Sequence, residues 1–221
     1  MTSTNASIQR ISALALGLVF PVFTIKMLVV PLTTRVAVEK VSFAAGHPGL
    51  LWLGAVLQLA VALLLVAGLL APLTLVADRG AALTRWGVAL AGLGSMSFAH
   101  DSAYSLFLLA TRDGDRTAMT DLVTRLDSAA APVELPLLLC FAVSLLVLGG
   151  GALRAGLLPR WAYALVVVAF LLQLAPPFPF AGVLQNAVAA VAFGVLASRL
   201  AAATHPGASA RGEALVEGRL A

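Results

Sequence analysis

The chain of 221 residues is 61% apolar and only 11% charged, with a mean hydropathy of +1.00, whereas a soluble domain normally carries about 25% charged residues. A soluble fold is excluded on these terms. The single cysteine, Cys140, allows no intrachain disulfide and no cysteine-based zinc spacing, and the 14 basic residues are scattered between apolar runs, with no patch for a nucleic acid.

A helix needs about 20 mostly apolar residues to cross roughly 30 Å of hydrocarbon while satisfying its own backbone polar groups. Six segments qualify, at 11–32, 49–71, 86–110, 133–153, 160–175 and 179–199. They predict an all-α fold: a polytopic transmembrane bundle of six helices forming one domain over residues 1–200. The first run follows Arg10 and continues to Val30 with no clear small-residue cleavage site, so it is a span and not a secretory leader. Trp52, Trp86 and Trp161 each fall near the start of a span, where amphipathic rings sit at headgroup level.

Arg10, Arg79, Arg85, Arg154, Arg160, Arg199, Arg211 and Arg219 lie on the N-terminal side, against Arg35, Lys40, Arg112, Arg116 and Arg125 on the other. This bias places both termini in the cytoplasm of a multi-pass protein of the cell (inner) membrane. In the one long loop, 112–132, Met119, Leu122, Val123 and Leu126 recur at helical spacing among Arg116, Asp121, Arg125 and Asp127. This pattern describes a short amphipathic helix, either on the outer membrane surface or as a solvated linker. Pro159 suits the first turn of the fifth helix, and Pro176, Pro177, Phe178 and Pro179 predict a tight hairpin between helices five and six. Residues 201–221 lose apolar density and are expected to form a disordered cytoplasmic tail.

Small residues let membrane helices approach closely. Gly87, Ala91 and Ser95 on the third helix, and Ala190, Gly194 and Ser198 on the sixth, form such faces and are expected to be helix contacts, within one chain or in a homo-oligomer.

Strongly polar groups inside spans are costly and therefore informative, at about 2.5–3.5 kcal/mol for a central Asp or Lys. At about 1.5 Å per residue from the outer boundary, Lys26 lies ~9 Å deep, Asp101 and Gln58 ~13 Å, Gln185 and Asn186 ~9 to 11 Å, and Glu134 and Gln173 within ~3 Å. All seven share one half of the bilayer, which predicts a polar pocket closed on the inner side rather than a pore. Ser97, Asp101, Tyr104 and Ser105 share one face of the third helix at i, i+4, i+7 and i+8. Lys26 is a candidate counter-ion for Asp101, or snorkels outward. His100 points about 100° away from Asp101 and is a candidate for a hydrogen bond to another helix. Glu134 suits the first turn of a helix, and Gln58, Gln173, Gln185 and Asn186 suit interhelical hydrogen bonds. His47 and His205 lie in a loop and in the tail, so a bis-histidine haem within one chain is ruled out. No phosphate loop, nucleophile elbow, HExxH, EF-hand or dinucleotide fingerprint occurs, and neither a metal nor a cofactor is expected.

In its size, its six-span layout, its short basic N-terminus and the stretch Gly156, Leu157, Leu158, Pro159, Arg160, Trp161, the chain resembles bacterial membrane proteins of the domain-of-unknown-function family 4386 over residues 8–200. That resemblance implies no catalytic residues. By analogy of size and hydropathy the chain is also similar to small integral-membrane terpene cyclases. Two functions follow. In the first, a lipophilic, isoprenoid-like substrate enters from lipid, Asp101 protonates it, His100 or Glu134 resets the proton, and Tyr104, Phe107 and Trp52 offer π-faces to a developing cation. In the second, the protein is a non-catalytic transporter subunit or lipid-binding accessory protein, and Lys26 and Asp101 form a structural or gating pair.

Overall fold

The computed structural model describes residues 3–30, 36–76, 79–174 and 180–203, and these are helical with no strand among them. The helices are α1 (Ser3–Val29), α2 (Ala37–Gly46), α3 (Pro48–Gly68), α4 (Leu70–Leu75), α5 (Ala81–Ala110), α6 (Arg116–Arg154), α7 (Arg160–Leu174) and α8 (Ala181–Ala203). Four stretches are long and apolar enough to cross a membrane: Asn5–Val29, Pro48–Leu75, Arg116–Arg154 and Ala181–Ala203. Helix α7 is apolar but shorter, at 15 residues.

Each long helix packs against the next, and α8 returns to α1, so α1, α3, α5, α6, α7 and α8 close a ring in chain order. Neighbours run antiparallel where α5 meets α6, because Gly87 abuts Leu148 while Gly94 abuts Phe141. A Cβ at Gly94 would come within 2.6 Å of the Phe141 Cβ, and one at Gly87 within 2.6 Å of the Leu148 backbone nitrogen. These two backbones therefore meet only because the side chains are absent. The expected small-residue contact of the third helix is thus an α5–α6 interface, with Ala91 and Ser95 also buried. The corresponding face of α8 differs, since a Cβ at Gly194 would meet nothing within 4 Å and Ser198 is exposed.

Five phenylalanines fill the middle of the bundle. Phe20 lies 5.0 Å from Phe193 and 6.3 Å from Phe141, Phe98 meets Phe141 edge-on at 4.8 Å, and Phe23 meets Phe98 edge-on at 5.1 Å. Large apolar side chains such as Leu14, Leu63, Trp86 and Val133 lie on the outside, as expected where the surrounding medium is hydrocarbon. At the end of the bundle far from the cavity described below, Ser12 bridges the break between α3 and α4. Its hydroxyl donates to the Ala67 carbonyl and accepts from the Ala71 N–H, both at 2.7 Å.

Two expectations need correction. The stretch 112–132 is not a separate surface helix: from Arg116 it runs unbroken through Pro132 and Pro136 into the apolar part of α6. Asp115 caps that helix by accepting from the Ala118 N–H at 2.8 Å, and Thr120, Thr124 and Ser128 each donate to the carbonyl four residues back. Its apolar side, with Val123 fully buried, packs on α2 and α5. Between the first two spans the chain adds α2, and His47 lies in the break between α2 and α3. Finally, α8 continues to Ala203, so residues 201–203 are helical rather than part of a tail. The remainder of the tail, with His205, Arg211 and Arg219, lies outside the described residues, as do Arg35 and the Pro176 to Pro179 hairpin.

Candidate functional site

A cavity of about 190 Å³ opens at the end of the bundle that carries α2, bordered by Lys26, Val30, Lys40, Leu51, Gly54, Asp101, Tyr104, Ser105 and Leu108. Four helices contribute: α1 brings Lys26, with Val30 just past its end, α2 brings Lys40, α3 brings Leu51 and Gly54, and α5 brings Asp101, Tyr104, Ser105 and Leu108. Gly54 allows the close approach, since a Cβ there would come within 2.9 Å of the Val30 side chain. One helical turn deeper, Phe23 and Phe98 begin the aromatic cluster, and both are buried.

Asp101 accepts a hydrogen bond from the Gln58 side-chain amide at 3.1 Å. Gln58 is buried and its carbonyl oxygen has no partner, so one end of this amide is spent on Asp101 and the other is left in an apolar wall. Beside them Ser102 donates to the Ala55 carbonyl at 2.8 Å, locking α5 to α3. Lys26 borders the same cavity as Asp101 but lies outside ion-pair distance of it, with its ammonium 5.9 Å from the Phe23 ring centre. The two share a volume and not a contact.

The closest charged contact at the cavity involves residues that the polar count of the spans passes over. Lys40 Nζ lies 2.8 Å from Asp127 Oδ2 and 3.4 Å from the Tyr104 hydroxyl. Tyr104 in turn donates to Asp127 Oδ1 at 2.8 Å. The Lys40 ammonium also sits 5.0 Å from the Tyr104 ring centre, within reach of a cation–π attraction. This clasp ties α2 and α6 to α5. Beneath it Val41, Ala44, Leu51, Leu108 and Val123 form a second, smaller core that seats α2 over the cavity. A signal for α2 is present in the sequence: Ala37, Val41 and Ala44 recur at i, i+4 and i+7 and mark one buried face.

The remaining candidates lie elsewhere. A second cavity of about 370 Å³, bordered by Lys40, Asp127, Ala131, Glu134, Leu135 and Leu138, runs along α6. A third, also about 370 Å³, lies between α5 and α6 and is bordered by Met96, Ser97, His100, Ala130, Val133, Glu134 and Leu137. Ser97 therefore faces a different space from Asp101, and its hydroxyl donates to the Gly94 carbonyl at 2.8 Å. His100 is exposed, its ring 6.4 Å from that of Tyr104. Gln173, Gln185 and Asn186 are on the α7–α8 side: the Gln185 amide donates to Gln173 at 3.0 Å, and that of Asn186 donates to Gly182 at 2.7 Å. A shared depth does not bring them to Asp101. Among the described residues no group of His, Cys, Asp and Glu is arranged to hold a metal ion.

Fold and site together define an all-helical protein whose long apolar helices are compatible with a membrane, with a charged cavity at one end. No protein-family model, curated protein or solved structure matches the chain.

Proposed function

We propose that the chain is a six-span protein of the cell membrane, with both termini cytoplasmic, that binds the polar headgroup of an amphiphile in the cavity under α2. The observation that carries this reading is the gathering of two ammonium groups, one carboxylate and two hydroxyls, from Lys26, Lys40, Asp101, Tyr104 and Ser105, around about 190 Å³ in an otherwise apolar bundle. Drug-sized ligands occupy sites of about 300–1,000 Å³, and a water molecule takes about 30 Å³. The volume thus suits a headgroup and leaves the apolar chain outside, against the bundle surface. The phenylalanine cluster beneath supports binding over conduction, because packed aromatic rings fill the middle of the bundle.

Acid-catalysed isoprenoid chemistry is the weaker reading. A carbocation formed beside Asp101 would share the cavity with Lys26 and Lys40, whose positive charges oppose it at short range in a medium of low dielectric constant.

The test is native mass spectrometry of the full-length protein released from detergent, counting retained phospholipid. A hydrogen bond to a charged group contributes about 1.5–3 kcal/mol, so Lys26→Met is expected to weaken lipid retention about 10-fold or more. Asp101→Asn is expected to change which headgroup is retained. Retention and composition unchanged in both variants would overturn the proposal.

A further inference from the structure

We infer that the headgroup recognised is a zwitterion, with a phosphate and an ammonium joined by a short link, that inserts between Lys40 and Asp127 and takes over both partners. The inference rests on the headgroup-binding reading above. Its basis is the way the two cavities share a wall. Lys40 borders both the cavity holding Lys26 and the larger one holding Asp127 and Glu134. Lys26 and Lys40 outnumber the single carboxylate of Asp101 around the smaller cavity, whereas Asp127 and Glu134 outnumber Lys40 around the larger.

An anion that inserts between Lys40 and Asp127, now 2.8 Å apart, separates the ion pair. A simple anion leaves Asp127 with no cation, and a simple cation placed at Asp127 leaves Lys40 with no anion; a buried or half-buried charge without a partner is the costly outcome. A zwitterion avoids both. Its phosphate meets Lys26 and Lys40 in the smaller cavity, while its ammonium meets Asp127 and Glu134 in the larger. Glu134 has no hydrogen-bond partner among the described residues, so its carboxylate is available to the incoming ammonium. Ala131, Leu135 and Leu138 line the same cavity as Glu134, and Leu135 is largely exposed. They offer an apolar track for the chain attached to the headgroup, which identifies a membrane lipid and not a soluble zwitterion as the source.

The experiment compares adducts of the full-length protein with phosphatidylethanolamine and phosphatidylglycerol of identical chains, by native mass spectrometry after exchange into mixed micelles. Phosphatidylethanolamine is expected to be preferred about 10-fold, the ratio that separates keeping from losing one charge-assisted contact. Glu134→Gln, which removes no contact of the folded protein, is expected to bring the two lipids toward parity, while Lys26→Met weakens both. Equal retention of the two lipids by the unsubstituted protein, with Lys26→Met still weakening both, would overturn the zwitterion assignment and leave headgroup binding standing. Indifference of both lipids to Lys26→Met and to Asp101→Asn would remove both. Soluble glycerophosphoethanolamine displacing phosphatidylethanolamine at equal concentration would overturn the lipid source.

Discussion

The ammonium of Lys40 on α2 and the carboxylate of Asp127 on α6 meet at 2.8 Å across 87 positions of sequence, with Tyr104 of α5 donating to the second carboxylate oxygen. Three helices therefore depend on one carboxylate. The side chains are only 18% and 31% exposed, so the pair is less screened than a surface ion pair.

Asp127→Asn is expected to weaken the seating of α2, because Lys40 loses its ion-pair partner and Tyr104 loses a charged acceptor. A double-mutant cycle with Lys40→Met should give a coupling of about 1–2 kcal/mol, read from thermal unfolding in detergent. The exchanged pair, Lys40→Asp with Asp127→Lys, is expected to recover part of that loss. Strictly additive single substitutions would show that the clasp contributes no stability.

Gln58→Leu is expected to destabilise by about 1–3 kcal/mol, since Asp101 is left without its donor in a buried setting. Combining it with Asp101→Leu should restore most of the stability, because replacing both partners by apolar groups orphans neither. A double variant less stable than Gln58→Leu alone would show that Asp101 has a more important partner than Gln58.

Two glycine substitutions should behave oppositely. Gly94→Ala places a Cβ 2.6–2.8 Å from the Phe141 Cβ, Cα and N and is expected to cost about 1–3 kcal/mol or more by forcing α5 and α6 apart. Gly194→Ala meets open space and should be neutral or stabilising by up to about 1 kcal/mol through reduced backbone freedom. Melting curves of the two variants side by side decide it, and a destabilising Gly194→Ala would indicate that α8 uses this face against another chain.

The proposed topology is checked with single-cysteine variants in a Cys140→Ser background. Asp113→Cys, in the exposed turn between α5 and α6, should react with a membrane-impermeant thiol reagent in intact cells, and Arg79→Cys, ahead of α5, should react only after lysis. The reverse pattern would invert the orientation.

The apolar runs, the exposed tryptophans and the Gly87–Ala91 face were legible because each follows from one helix considered by itself. What was hidden depends on azimuth and on helices too short to stand out. Lys26, Gln58, Asp101, Gln185 and Asn186 lie at similar calculated depths, yet α8 touches the ring at α1 and α7 while α5 sits between α3 and α6. Equal depth thus separated Gln185 and Asn186 from Asp101 by the width of the bundle. Lys40 and Asp127 escaped notice for another reason. Each looks like an ordinary interfacial charge until α2 folds over the cavity and α6 proves continuous through Pro132 and Pro136.

At 39 residues and about 1.5 Å each, α6 is about 58 Å long, nearly twice the roughly 30 Å hydrocarbon thickness. In the proposed membrane orientation its first turns would stand clear of the lipid while its last reach the opposite face; the close glycine approaches bind it to α5. Pro132 and Pro136 each withhold a backbone N–H from the helix ladder, so the arm of α6 that carries α2 meets the glycine-bound half where the helix is least stiff.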